Sequence, residues 1–275
     1  MNLFSPAEVA KNYIAAGKAK VALPIPRMLL LAVLAGVFIG VGGIASTTAA
    51  VSVAAPSLGK LVGAVVFPGG LTMVLLAGSE LFTGNCLLTI PLLERKITWG
   101  GMLKSWVVIY LGNLLGGLLL AALVVLGHTP DLFGRELAVS ILSAAAAKCS
   151  LGFGDAFVRG ILCNFLVCIA VWISFAAKDV VGKVAGLFFP IMMFVLCGFE
   201  HSVANMYYIG AGLFAKLVPA YAEAAAAAGV DLGSLTVGRF FAGNLLPVTL
   251  GNIVGGSVCV GATYWFCYLR PDKSK

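Results

Sequence analysis

The chain has 275 residues, 61% of them hydrophobic and only 11% charged, with a mean hydropathy of +1.05. A water-soluble domain carries roughly 25% charged residues, so this composition excludes a soluble globule and makes the bilayer the solvent for most of the surface. The formal net charge of +7 comes from basic residues dispersed among the connections, which excludes the basic stripe of a nucleic-acid binder.

The first element in chain order is short. "SPAE" at 5–8 has the pattern of a helix start, with Ser5 as N-cap, Pro6 at the first helical position and Glu8 reaching back to the cap. It predicts an amphipathic helix over 6–20 lying on the inner membrane face, within a cytoplasmic segment 1–27; a plain soluble leader is the alternative. No cleavable signal peptide is expected, because no apolar core precedes the first long span.

Six apolar runs follow, at about 28–54, 61–92, 103–126, 156–177, 184–215 and 240–269, against the roughly 20 residues that a membrane crossing needs. Residues 28–270 therefore read as an all-α membrane domain of six transmembrane helices, with 271–275 as a cytoplasmic tail. The second and fifth runs are too long and are interrupted, by "GSELFTGN" (78–85) and "GFEHSVAN" (198–205). An even number of crossings puts both termini on one side. With that side cytoplasmic, the basic residues divide twelve inside to six outside, the orientation that Lys and Arg bias favours.

The two halves repeat. Glu80 to Asn85 in the second run matches Glu200 to Asn205 in the fifth, and "YLGNLLGG" (110–117) in the third matches "TLGNIVGG" (249–256) in the sixth. A unit of three crossings reverses the direction of its second copy, so the expected architecture is two inverted three-helix repeats with broken second and fifth helices. Irregular backbone at membrane depth survives where it is buried in protein or lines a wet cavity. The Gly-rich runs read as close helix packing, their asparagines available to bond a neighbouring backbone.

Ionisable groups inside a span are functional candidates. Glu80 and Glu200 occupy equivalent repeat positions, which suits a shared structural task of accepting N–H groups freed at the breaks. His201 faces Leu81 across the repeat and has no twin, so it is the functional candidate. Thr83 adds a hydroxyl in the first break and Asn164 an amide in the fourth run, where it could equally bridge two helices. Lys148, after four alanines, belongs to the outer connection between runs three and four, where a solvated loop charge is the plain alternative. The seven cysteines form no CxxC pair and read as small apolar fillers; with only His128 and His201 beside them, no metal or other cofactor is expected.

"AGSELFTGN", "GNLLGG", "RGILCNFLVCIAVW", "GFEHSVANM" and "NLLPVTLGNIVGG", together covering residues 77–256, closely resemble the signature segments of the formate/nitrite transporter family. The resemblance implies an aquaporin-like six-span protomer, a homopentamer with a pore in each protomer, and passage of formate, nitrite or hydrosulfide across a prokaryotic inner membrane. It also implies that Leu71 and Phe82 line a cytoplasmic constriction and Phe67, Leu81 and Phe194 a periplasmic one. His201 is then expected between them with Thr83 nearby, surrounded by Lys148, Asn164, Glu200 and Asn205. The expected function is a channel for small weak-acid anions, formate or nitrite first, protonated at His201, with a hydrosulfide channel of the same family as the alternative. An aquaporin-like neutral-solute channel is the rival; it calls for Asn-Pro-Ala boxes, and neither break has one. No enzyme is expected.

Overall fold

The computed structural model describes residues 3–270, so the tail expected at 271–275 lies outside the described residues. Helix α1 (Pro6–Ala22) starts at the expected capping box: the Ser5 backbone N–H donates to Glu8 Oε2 at 2.7 Å, and the Glu8 N–H donates to Ser5 Oγ at 3.4 Å. It does more than lie on a surface. Val9, Ala10, Tyr13 and Gly17 are buried, and the Tyr13 hydroxyl donates to the Gly84 carbonyl at 3.3 Å, docking α1 on the interruption of the second apolar run.

Helix α2 (Ile25–Ala50) has 26 residues, about 39 Å at 1.5 Å per residue, enough to cross a bilayer. The second run forms α3 (Pro56–Val66), α4 (Pro68–Met73) and a π-helical turn, Val74–Gly78, as one apolar stretch of 23 residues. Helix ends there because Gly78 takes φ +81, a left-handed conformation that glycine adopts without a Cβ clash. The chain runs irregularly to Thr83 and resumes as a 3₁₀ turn, Gly84–Leu88, and α5 (Thr89–Leu93). Helix α6 (Trp99–Leu126) follows, capped by the Thr98 side chain on the Gly101 N–H.

Between α6 and the next long helix lie a kinked connection, Thr129–Arg135, whose 3₁₀ turns are interrupted at Leu132, Phe133 and Gly134, and α7 (Glu136–Cys149). Lys148 therefore sits in the last turn of a helix whose inner side is buried, and the expectation of a loop charge is corrected. Helix α8 (Phe153–Ala176) is the fourth run. The fifth divides into α9 (Val180–Leu196) and α10 (Ser202–Lys216), separated by non-helical Cys197–His201. Helix α11 (Pro219–Ala227) leads to the last run, where a π segment, Arg239–Leu245, α12 (Leu246–Ile253), a second π segment, Val254–Ala262, and α13 (Thr263–Tyr268) join into 30 residues. Among the described residues five helices are long and apolar enough to cross a membrane, and the broken fifth run supplies a shorter apolar helix. The described residues are helical, with no strand beyond an isolated bridge between Leu3 and Ala177, and their apolar helices make a multi-pass membrane protein.

Lipid tails are as apolar as leucine, so these helices hold together by close contact and hydrogen bonds instead of by exclusion of water. The paired glycines provide the contact. A Cβ on Gly116 of α6 would collide with the Val33 carbonyl of α2, and one on Gly255 with the Ile161 carbonyl of α8.

Candidate functional site

Each break needs partners for backbone groups that no helix satisfies, because an unpaired N–H or C=O at membrane depth costs several kcal/mol. Asparagine supplies them. Asn113 of α6 accepts from the Phe82 N–H at 2.9 Å and donates to the Ala32 carbonyl at 2.8 Å and the Glu80 carbonyl at 2.9 Å. Asn252 of α12 accepts from the Ser202 N–H at 2.9 Å and donates to the Gly160 and Glu200 carbonyls at 2.8 and 3.0 Å. Both amides are fully buried and use their oxygen and both donor hydrogens. These motifs do more than pack: the glycines bring the helices together, and the asparagines clamp the two breaks.

The carboxylates do not take the freed N–H groups expected of them. Glu200 accepts from Lys148 Nζ at 2.9 and 3.1 Å and from Asn205 Nδ2 at 2.6 Å. Glu80 accepts from Lys20 Nζ at 2.9 Å through both oxygens and from Asn85 Nδ2 at 2.8 Å. The second lysine comes from α1, and sequence reasoning missed it. A signal existed: Lys20 and Lys148 are 128 residues apart, as are Ala32 and Gly160, the carbonyl partners of the two clamps. Asn244 was also missed. It accepts from Asn205 at 2.8 Å and donates to the Lys148 carbonyl at 2.9 Å, tying both sides of the ion pair to the last run.

His201 and Thr83, one from each break, meet at 2.8 Å between Nε2 and Oγ1. His201 is the N-cap of α10, and its Nδ1 accepts from the Ala204 N–H at 3.0 Å. A proton on Nδ1 would point at that N–H, so the network assigns a neutral ring with its hydrogen on Nε2, donating to Thr83. The Thr83 hydroxyl hydrogen is left free to donate onward. Asn164 donates to the Thr83 carbonyl at 3.2 Å and to the Asn252 carbonyl at 2.6 Å, and the Cys168 thiol reaches the same Thr83 carbonyl at 3.4 Å. Asn164 thus joins the two breaks, and Cys168 is more than a filler. The six polar residues expected at the site, His201, Thr83, Lys148, Asn164, Glu200 and Asn205, lie in one connected neighbourhood.

Two cavities approach this centre from opposite ends of α2. The larger, about 550 Å³, is lined by Val51 and Pro56 near the end of α2 and reaches Phe67, Phe194 and His201. The smaller, about 30 Å³, is lined by Lys20 and Tyr13 near its start and reaches Leu71 and Leu81. Apolar side chains separate the two. The Phe67 and Phe194 rings meet edge to face at 5.5 Å, and Phe194 lies 5.9 Å from the His201 ring. Leu81 lines the smaller cavity with Leu71, and the Phe82 ring packs on Tyr110 at 5.0 Å and Trp106 at 5.9 Å. Among the described residues no group of three His, Cys, Asp or Glu side chains could hold a metal.

Apolar helices interrupted at matching places, with a vestibule at one end, a small cavity at the other and an apolar stretch between, have the architecture of a membrane channel. The chain belongs to the formate/nitrite transporter family, whose model matches residues 7–266. It is 39% identical to the uncharacterized transporter YrhG of Bacillus subtilis, over 98% of this chain and 96% of that one. It is 37% identical to the formate channel FocA of Escherichia coli, with 98% and 96% of the two chains covered. A solved pentameric formate channel with formate bound superposes with a TM-score of 0.80 at 34% identity, covering 90% of this chain and 98% of that one. These relatives are channels and transporters, not enzymes.

Proposed function

We propose that the protein conducts small monovalent anions of weak acids, formate in preference to nitrite or hydrosulfide, with protonation at His201 assisting their passage. The working form is a homopentamer in a prokaryotic inner membrane. Each protomer has two inverted three-helix repeats in an aquaporin-like arrangement, six crossings and both termini cytoplasmic, so the larger cavity is the outer vestibule. The names of the relatives favour formate, and the pentameric neighbour favours that assembly.

One observation carries the mechanism: a hydrogen-bonded His201–Thr83 pair stands at the floor of a vestibule closed by phenylalanines. A bare charge in an apolar passage is penalised by several kcal/mol even after relaxation, whereas the neutral acid loses far less. An anion reaching the pair receives the Thr83 O–H, polarised by the Nε2–H behind it. In that apolar surrounding its charged form is disfavoured, which makes it a stronger base, and it takes a proton that hydronium of the outer solution delivers through the vestibule water, so water is regenerated and no hydroxide is left behind. It then crosses as the neutral acid. The ring acts first as a donor that holds the anion where neutralisation occurs. This places the chemistry at the histidine without asking a neutral imidazole to surrender its last proton, a loss that would leave an anion on the ring.

The test is formate flux into proteoliposomes as a function of pH for the wild type and His201→Ala. The variant is expected to keep its fold and to lose the wild-type pH profile. An identical profile in the two proteins would reject the assignment.

A further inference from the structure

The outer vestibule holds more positive charge than the ion pair at its floor requires. Lys148 and Glu200 neutralise one another. Lys60 of α3 and Arg159 of α8 line the same 550 Å³ cavity, are exposed, and make no ion pair or side-chain hydrogen bond among the described residues. Both have rigid mounts. Lys60 follows Gly59, which is buried against the end of α2, and the Arg159 carbonyl accepts from the Glu200 N–H at 3.3 Å, so the guanidinium stem starts from the clamped break itself. Unpaired cations in membrane helices are costly and face cavities when they serve a purpose.

We propose that Lys60 and Arg159 form an anion-capture station at the mouth of this vestibule. It holds a small carboxylate or oxyanion in its charged form before the anion moves inward to Thr83 and His201. The two groups suit that task differently. A guanidinium offers a planar fork that matches two oxygens of one anion, and an ammonium adds a compact point charge that can approach from another direction. Between low-dielectric walls their field raises the local anion concentration, an effect that falls with ionic strength. A divalent oxyanion is held more strongly at the same station but sheds its charge far less readily, so it occupies the mouth and blocks it. The inference rests on the proposed route through His201, and it adds a binding step that the route does not supply.

The experiment uses the full chain reconstituted in proteoliposomes, with Lys60→Met, Arg159→Met and the double variant, alongside Lys60→Arg and Arg159→Lys. At low ionic strength the double variant is expected to raise KM for formate by about ten-fold with maximal flux retained. The charge-conserving variants should stay near the wild type, and the difference should shrink as chloride is added. Sulfate on the vestibule side, compared with chloride at matched ionic strength, should inhibit the wild type and not the double variant.

A second readout does not depend on transport. Sulfate should raise the unfolding temperature of the detergent-purified wild type above matched chloride and leave that of the double variant unchanged, which also reports whether the variants fold. Unaltered KM together with equal sulfate sensitivity would overturn the proposal. If His201→Ala kept the wild-type pH profile while Lys60→Met and Arg159→Met still raised KM, the capture station would stand and the His201 route would fall.

Discussion

Lys148 illustrates how one side chain changes meaning once its neighbours are known. Four alanines before it make the segment look like a spacer, yet its ammonium lies 2.9 Å from a Glu200 carboxylate that is almost fully buried. A buried pair of this kind is weak evidence for stability in itself, but breaking it by removing one partner costs about 3–5 kcal/mol, because the other charge is stranded. Lys148→Met alone should therefore lower the unfolding temperature of the detergent-purified protein sharply, and Lys148→Met with Glu200→Gln should recover most of that loss. A double variant no more stable than the single one would show that the pair is not the unit. Flux provides the other half of the comparison: the double variant should fold and conduct poorly if the pair also serves the vestibule.

At the scale of elements, the breaks and α1 carry the account. The broken runs were legible because polar residues inside apolar stretches are conspicuous, and the capping box of α1 was legible because its signal is local. What held the breaks was not. The Asn113 and Asn252 amides reach carbonyls that are 81 and 92 residues away in sequence, and no local pattern reports such a bond. The role of Lys20 was hidden because α1 read as a surface helix, although it donates to the first break as α7 does to the second.

The start of α1, which precedes the apolar runs, also sets a pH response. The hydrogen bond from the Ser5 backbone, and then the one from its side chain, hold the Glu8 carboxyl below its ordinary value of 4.5. A carboxyl depressed in the folded state contributes stability that is present above 4.5 and lost as pH falls through the folded value. The first turn of α1 should therefore exchange its amide hydrogens faster in that acidic window, and Glu8→Gln should remove the pH dependence. Unchanged exchange across the window would contradict it.

For the whole molecule, the composition alone pointed to the bilayer as solvent, and five of the six runs fall on helices that are, among the described residues, long and apolar enough to cross it. The candidate residues came from motifs, and the structure gathers the polar ones around the His201–Thr83 contact. The apolar residues were less legible, because a phenylalanine that lines a passage and one that packs a core share the same sequence context. The proposed channel works by combining two opposing requirements, a vestibule that attracts charge and an apolar stretch that refuses it. Charge must be shed between them, which ties each anion to a proton. The most direct measurement is the simultaneous recording of formate uptake, internal pH and membrane current in proteoliposomes. The account predicts that a proton enters with each formate and that no net current flows. Formate carried as a current with no accompanying proton would contradict it.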